Sequence, residues 1–268
     1  MSVTPTPDSS PALRVLADDL LERGDVHGEF ILLQLDQTNP SRELELGDVM
    51  RARLRKALPG IVGDSKWERG FLSSLRLHFD EEPPLDALRE FTRWLPARTL
   101  HTLTVTGITG VDLTALFADT RRIRFPALKK FSVLEIESIG RPRQDEWLTL
   151  GNVEPLYAAW SELESLQLSG VGHELGKIVM PKLKTFIAGE LQPSAIPSLV
   201  AAQWPELEEL NLSFDLTPAE AEPVFGALLE AKMSQTLKRV RIHSPWPEFF
   251  KAALPRSPLG KGRTVEVE

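Results

Sequence analysis

The feature that most constrains this chain is a sevenfold recurrence of the pattern L-x-x-L-x-L, with other apolar residues allowed. It runs through "LSSLRL" (Leu72, Leu75, Leu77), "LHTLTV" (Leu100, Leu103, Val105), "LKKFSV" (Leu128, Phe131, Val133) and "LESLQL" (Leu163, Leu166, Leu168). It continues through "LKTFIA" (Leu183, Phe186, Ala188), "LEELNL" (Leu207, Leu210, Leu212) and "LKRVRI" (Leu237, Val240, Ile242). A closing "RTVEVE", with Val265 and Val267, reads as a degenerate eighth copy. Alternation of the last two apolar positions marks a short strand with one face buried. A helical bundle with leucine seams would imitate a single copy. Against it, the segments are rich in Thr, Val, Ile and Phe, and "FPALKKF", "MPKLKTF" and "WPELEEL" place a proline just ahead, where it ends a helix and starts extended chain.

The middle positions fall at 75, 103, 131, 166, 186, 210 and 240, so the spacings are 28, 28, 35, 20, 24 and 30. Between them, "PLDALREFTRWL" (84–95) carries a helical apolar stripe, and "GVDLTALFADTRRI" and "PSAIPSLVAAQW" suggest shorter helices. "TPAEAEPVFGALLEAKM" opens with Thr217 as a helix cap and Glu220 three residues on. Each unit is therefore strand, turn, helix. Stacking such units predicts an α/β solenoid with parallel strands on a concave face and helices on the convex face.

Residues 71–268 resemble bacterial leucine-rich-repeat proteins, most closely over "LGKIVMPKLKTF…AAQWPELEELNLSF" (175–214). The usual turn asparagine is mostly absent, with Gly107, Gly170 and Phe214 at or beside those positions. The stretch "LRVLADDLLERGDVHGEFILLQL" is similar to the small repeat-companion domain that precedes repeat arrays in myxobacterial and planctomycete proteins. Ala17, Asp18, Leu20, Glu22, Gly24, Asp25, Gly28, Glu29, Phe30, Ile31, Leu33 and Gln34 carry the match, and Asp19 stands where that motif has Trp. The resemblance implies a small N-terminal helical cap and no known chemistry. Expected boundaries are a flexible 1–10, a cap over 11–70, and seven to eight irregular repeats over 71–268. In the cap, "SRELELGDVMRARLRKALPG" (41–60) reads as an amphipathic helix and "GIVGDSKWERGF" (60–71) as the joint into the first repeat, with Trp67 and Phe71 covering the open end of the array.

The acidic residues around Gly24 and Gly28 raise the question of a metal or acid/base site. Asp18, Asp19, Glu22, Asp25, His27 and Glu29 follow no calcium-loop order, and one histidine is a weak zinc signal. A structural turn explains them better: Leu13, Leu16, Leu20 and Leu21 stripe one helix, Gly24 supplies a left-handed stop, and Asp25 caps the next helix. An enzyme using Asp18, Asp25 and His27 is kept as an alternative.

Composition excludes more than it assigns. The 268 residues are 42% hydrophobic, enough for a sizeable core. There is no cysteine, which removes disulfides, thiolate zinc sites and cysteine nucleophiles and suits a reducing cytoplasm. A formal charge of −7 makes the whole chain a poor bait for nucleic acid. The cluster Arg51, Arg53, Arg55 and Lys56 keeps that alternative open, although acidic residues lie just upstream. No apolar stretch of membrane-spanning length stands out. "GVGHELGKI" (170–178) lacks the phosphate-loop spacing, has Ile178 after Lys177, and reads as a turn between repeats.

Function is therefore expected on the surface that the strands create. The concave-face candidates are Arg76, His78, Thr104, Thr106, Gln167, Asn211, Arg239, Arg241 and His243. Glu209, Glu266 and Glu268 are expected to neutralise part of the basic end. The 137–160 spacer, with Arg141, Arg143 and Trp147, is expected to project as a second contact region. The resulting expectation is a non-catalytic module of the cytoplasm that binds a protein partner, without cofactor, metal, nucleic acid or membrane.

Overall fold

The computed structural model describes residues 10–268 apart from 108–109, 136–147, 215–225, 232–233 and 245–246. Residues 1–9 of the expected flexible terminus, the Thr217 cap and the loop residues Arg141, Arg143 and Trp147 lie outside the described residues.

Helix α1 (Ser10–Glu22) buries Leu13, Ala17 and Leu20, residues that share one helical face. It stops at Gly24, whose φ of 72° is the left-handed conformation glycine adopts without strain. The Asp25 side chain then caps α2 (Val26–Asp36) by accepting the His27 N–H at 3.1 Å. At Gly28 the two helices touch: a Cβ there would overlap the Ala17 carbonyl oxygen. Asn39 caps α3 (Pro40–Ala57), accepting the Arg42 N–H at 3.1 Å, and Leu46, Met50 and Leu54 form its buried stripe.

The expected joint at 60–71 is instead a β-hairpin. Strand β1 (Val62–Glu68) pairs antiparallel with β2 (Phe71–Phe79) around Arg69 and Gly70, which have φ of 52° and 83°. Two left-handed residues give the turn a twist that matches its strands. The sequence hid β1 because none of its residues is fully buried and only Val62 and Trp67 are large and apolar, so the apolar alternation is too sparse to mark a strand. Asp64, Lys66 and Glu68 and two register shifts suit an edge strand that resists further pairing.

From β2 onward the strands run parallel. They are β3 (Thr102–Gly107), β4 (Lys130–Glu135), β6 (Ser165–Leu168), β8 (Thr185–Leu191), β9 (Glu209–Phe214), β10 (Arg239–His243) and β11 (Thr264–Val267). The nine-stranded sheet has the order β1-β2-β3-β4-β6-β8-β9-β10-β11, so each of these strands lies beside its predecessor in the sheet. Register aligns the repeated pattern: Leu75, Leu103, Phe131, Leu166, Phe186, Leu210 and Val240 form one buried row. Leu77, Val105, Val133, Leu168, Ala188, Leu212 and Ile242 form the next. One face of the sheet is thereby buried and the other left open.

The connecting segments are shorter and more varied than expected. Helix α4 covers Leu85–Phe91, and a 3₁₀ turn at Leu95–Thr99 follows. Helix α5 spans Thr114–Ala118, α6 spans Glu154–Ala159, and α7 (Ile196–Val200) follows a 3₁₀ turn at Pro193–Ala195. One or two turns cannot persist alone, so buried residues such as Phe117, Leu156 and Leu199 hold them through packing. A last helix covers Pro247–Ala253.

Residues 148–160 do not project. Strand β5 (Thr149–Asn152) pairs in parallel with β7 (Val171–Glu174) in a second, two-stranded sheet, so the expected turn at 170–178 is partly a strand. Leu148, Leu150, Val153 and Leu156 are fully buried there. One continuous core runs from Leu54 to Leu259. Two smaller clusters join the helices to its first edge, one around Leu13, Ala17, Ile31 and Phe71 and the other around Phe30, Leu46 and Met50. Ring contacts link Phe30, Trp67, Trp94, Phe91, Phe125, Trp160 and Phe131 at centroid distances of 4.8–6.3 Å.

Candidate functional site

Outward residues on the open face line up across strands as the buried ones do. Arg76, Thr104, Ser132, Gln167, Ile187, Asn211, Arg241 and Glu266 share one row. Seven inter-strand steps of ~4.8 Å make that row roughly 34 Å long. Most of the face between its ends is uncharged, and Thr104, Ser132, Gln167, Ile187 and Asn211 are half-buried by their neighbours.

Both ends of the face are ion-paired. At one end, Arg76 lies 3.4 Å from Asp64 of β1. His78 Nε2 lies 2.9 Å from Asp80, and its Nδ1 lies 3.2 Å from Thr106 Oγ1. At the other, Arg239 donates to Glu209 at 3.2 Å, Arg241 Nε donates to Glu266 at 2.6 Å, and His243 Nδ1 lies 3.4 Å from Glu268. Hydrogen bonding to Glu266 raises the Arg241 guanidinium above its ordinary pKa. Asp64 escaped sequence reasoning, since only the hairpin brings it beside Arg76, whereas Asp80, two residues past His78, was signalled by strand alternation and was missed.

The Asp80–His78–Thr106 grouping has the residue types of a catalytic triad, but its chemistry differs. Thr106 is buried and its hydroxyl donates to the Leu77 carbonyl at 3.0 Å, so the imidazole does not hold the hydroxyl proton. Thr106, expected as a contact residue, therefore orients His78 and presents no surface of its own. Burial of its side chain in the β2–β3 seam is the reason.

In the acidic stretch of the first two helices, Asp25 and His27 are engaged in contacts that join structural elements. Asp18 is exposed on α1. Burial opposes ionisation of Asp25, but hydrogen bonds from Arg53 at 2.7 Å and from the His27 backbone outweigh it and keep the carboxyl below its usual range. His27 is buried, and burial lowers its pKa against the opposing Gly70 carbonyl. Its Nε2 lies 2.7 Å from that carbonyl, while Gln34 Oε1 accepts the Gly70 N–H at 2.6 Å. Ile31 occupies the space that a Cβ on Gly70 would need. His27, Ile31 and Gln34, spaced for one helical face, thus grip the turn that starts the sheet. Among the described residues, no cluster of three or more His, Asp or Glu is placed to hold a metal ion.

Of the basic cluster on α3, Arg51 pairs with Asp48 at 2.7 Å and Arg53 with Asp25, while Arg55 and Lys56 are exposed. A groove of about 390 Å³ between α2, α3 and β1 is lined by Phe30, Gln34, Leu44, Gly47, Arg51 and Trp67, among others. His173 on β7 is buried with neither ring nitrogen hydrogen-bonded, and burial pushes its pKa down to about 4 against a partly opposing Leu168 carbonyl. A charge ladder crosses the residues that precede the strands. Lys129 lies 3.5 Å from Glu164, Lys184 2.8 Å from Glu164, and Lys238 2.8 Å from Glu208. Beside it Lys182 donates to Glu162 at 2.7 Å. These hydrogen bonds raise the Lys182 and Lys184 ammonium groups and lower the Glu162 and Glu164 carboxyls.

The fold and this face define an α/β protein with a large, mostly parallel sheet whose one polar face is open. No protein-family model matches the chain, and no curated protein matches it. A Bacteroides fragilis protein of known crystal structure is similar in fold, with a TM-score of 0.52 at 15% identity over 65% of this chain. The match covers 52% of that protein, so this chain spans about half its length. Among the described residues, no helix is long and apolar enough to cross a membrane.

Proposed function

We propose that residues 71–268 form a leucine-rich-repeat solenoid behind an N-terminal repeat-companion domain, and that the chain is a non-catalytic module binding a protein partner in the cytoplasm. The observation that carries the reading is the register. All seven copies of the repeated pattern fall on adjacent parallel strands, with their apolar positions in two buried rows. Such an array presents a rigid concave surface about 34 Å across, a span suited to another folded protein rather than a small molecule. The ion pairs at both ends hold their side chains in place, and the neutral centre is inexpensive to desolvate.

The test is an affinity capture from host lysate, comparing the full chain with a Gln167→Arg and Asn211→Arg variant. Both substitutions add bulk and charge on the open face without touching the core. Capture of a protein by the parent and its loss from the folded variant is the expected outcome. Equal capture by both moves the interface off this face, and capture of nothing by the parent overturns the binding-module reading.

A further inference from the structure

We infer that the turns carrying Arg93, Arg98, Arg121 and Arg124 form a docking surface for an acidic protein segment. The inference rests on the protein-binding reading above and assigns it a second surface with defined partner chemistry. All four arginines are exposed. Arg93 and Arg98 flank the turn before β3, and Arg121 and Arg124 the equivalent turn before β4. Three contacts place these turns on adjacent layers. Arg89 Nε reaches Asp119 at 2.5 Å, the Phe91 and Phe125 rings meet at 6.1 Å, and β3 pairs with β4 in register.

Uncompensated guanidinium charge marks this surface. Among the described residues, none of the four arginines has a carboxylate partner; Arg124 Nε donates to the Arg121 carbonyl at 2.8 Å, which shapes the turn and leaves its charge uncompensated. Asp119, the acid nearest in sequence, is largely buried and engaged by Arg89, with Arg122 at 3.7 Å and mostly exposed. Glu90 is exposed on the preceding helix, and the described contacts tie it to none of the four. Five guanidinium groups therefore crowd two turns in a chain of formal charge −7. The ladder lysines Lys129, Lys182, Lys184 and Lys238 each pair with a glutamate.

Guanidinium groups pair with carboxylates through two parallel hydrogen bonds, and a carboxylate supplied from outside relieves their mutual repulsion. The patch spans two layers, the scale of a short acidic segment. A long nucleic acid would run beyond it onto a net-negative molecule, and the four arginines have no exposed aromatic ring among them to stack a base.

Fluorescence anisotropy tests this on the full chain with a labelled deca-glutamate peptide, a deca-glutamine peptide and a 20-base-pair DNA duplex as probes. The variants are the fourfold Arg→Gln change at 93, 98, 121 and 124, the pair Arg93→Gln with Arg121→Gln, and a control Arg55→Gln with Lys56→Gln. The expected result is salt-sensitive deca-glutamate binding that falls at least about tenfold in the fourfold variant and changes less than about twofold in the control. The double variant should fall between them, which covers a fourfold variant that fails to fold. Absence of deca-glutamate binding, equal loss in the control, equal binding of deca-glutamine, or tighter binding of the duplex through the same arginines each overturns the proposal. The probe is defined and the open face is untouched, so this assay and the Gln167 and Asn211 test fail independently.

Discussion

At the β1–β2 end of the sheet, three side chains of α2 grip one glycine: His27 and Gln34 meet the Gly70 carbonyl and amide, and Ile31 fills the space beside it. In the repeats from β3 to β10, three apolar positions recur in each copy of the pattern, two of them on its strand, and each copy is supported by the copies beside it. The first arrangement is a single point of attachment and the second is distributed. A point of attachment fails when its geometry is altered by one atom; a distributed core fails only as volume is removed. The comparison implies that one chain carries two kinds of sensitivity, with the first strand pair as the boundary between them.

The largest effect is expected in the distributed region. Phe131 is fully buried, with Trp160 at 4.8 Å and Phe117 at 6.2 Å. Phe131→Ala should cost about 4 kcal/mol in urea denaturation, since it removes the ring and leaves a cavity. A loss under about 1 kcal/mol would mean that neighbouring layers collapse into the gap and that packing there is fluid.

Acid should act on both regions. His173 has a folded pKa of about 4 against an ordinary 6.5, and His27 is also lowered. A histidine with a depressed folded pKa stabilises the fold above its unfolded pKa, and that stability is lost as pH falls from 6.5 toward the folded value. For His173 the loss amounts to roughly 3 kcal/mol by pH 4. Thermal unfolding between pH 7 and pH 4 tests it, with His173→Leu expected to flatten the acid limb. An unchanged limb in that variant would move the acid sensitivity elsewhere.

Next comes the point of attachment. Gly70→Ala combines a φ of 83° with an overlap on Ile31 and should cost about 3 kcal/mol. Gly60 has a φ of 75° and open space around it, so Gly60→Ala should cost about 1 kcal/mol and isolates the backbone part. Hydrogen exchange should place the lost protection of Gly70→Ala in residues 10–79. Equal costs for the two glycines would remove the case for a grip. The smallest effect belongs to the charge ladder, where Lys184→Ala should cost under about 1 kcal/mol and the difference should vanish in 1 M salt.

The legible parts of the fold were those written as repetition. Seven copies of a strand pattern predicted seven parallel strands because alternation with one buried face is a local, period-two signal. Gly24 and Asp25 were legible for a similar reason, since turn and cap chemistry sits within a few residues. Strand β1 had no such signal, and neither had β5, which lay in the spacer expected to project, or β7, whose short glycine-containing stretch read as a turn. Of the candidate site, the row from Arg76 to Arg241 was readable from strand alternation alone. The partner Asp64 and the burial of Thr106 were not, because they depend on which residues the hairpin and neighbouring strand bring near; Asp80, two residues from His78, lay within reach of the same alternation and was overlooked.

By itself, the sequence determined the positions of the seven repeated strands, their buried and outward residues and the turn between the first two helices, all properties carried by neighbours along the chain. Only the tertiary structure decided what His27 and Gln34 are for, which cations are neutralised, and which arginines are left uncompensated. Ion pairs and close approaches join residues tens of positions apart, and their free energy depends on distance and burial, which no local pattern encodes.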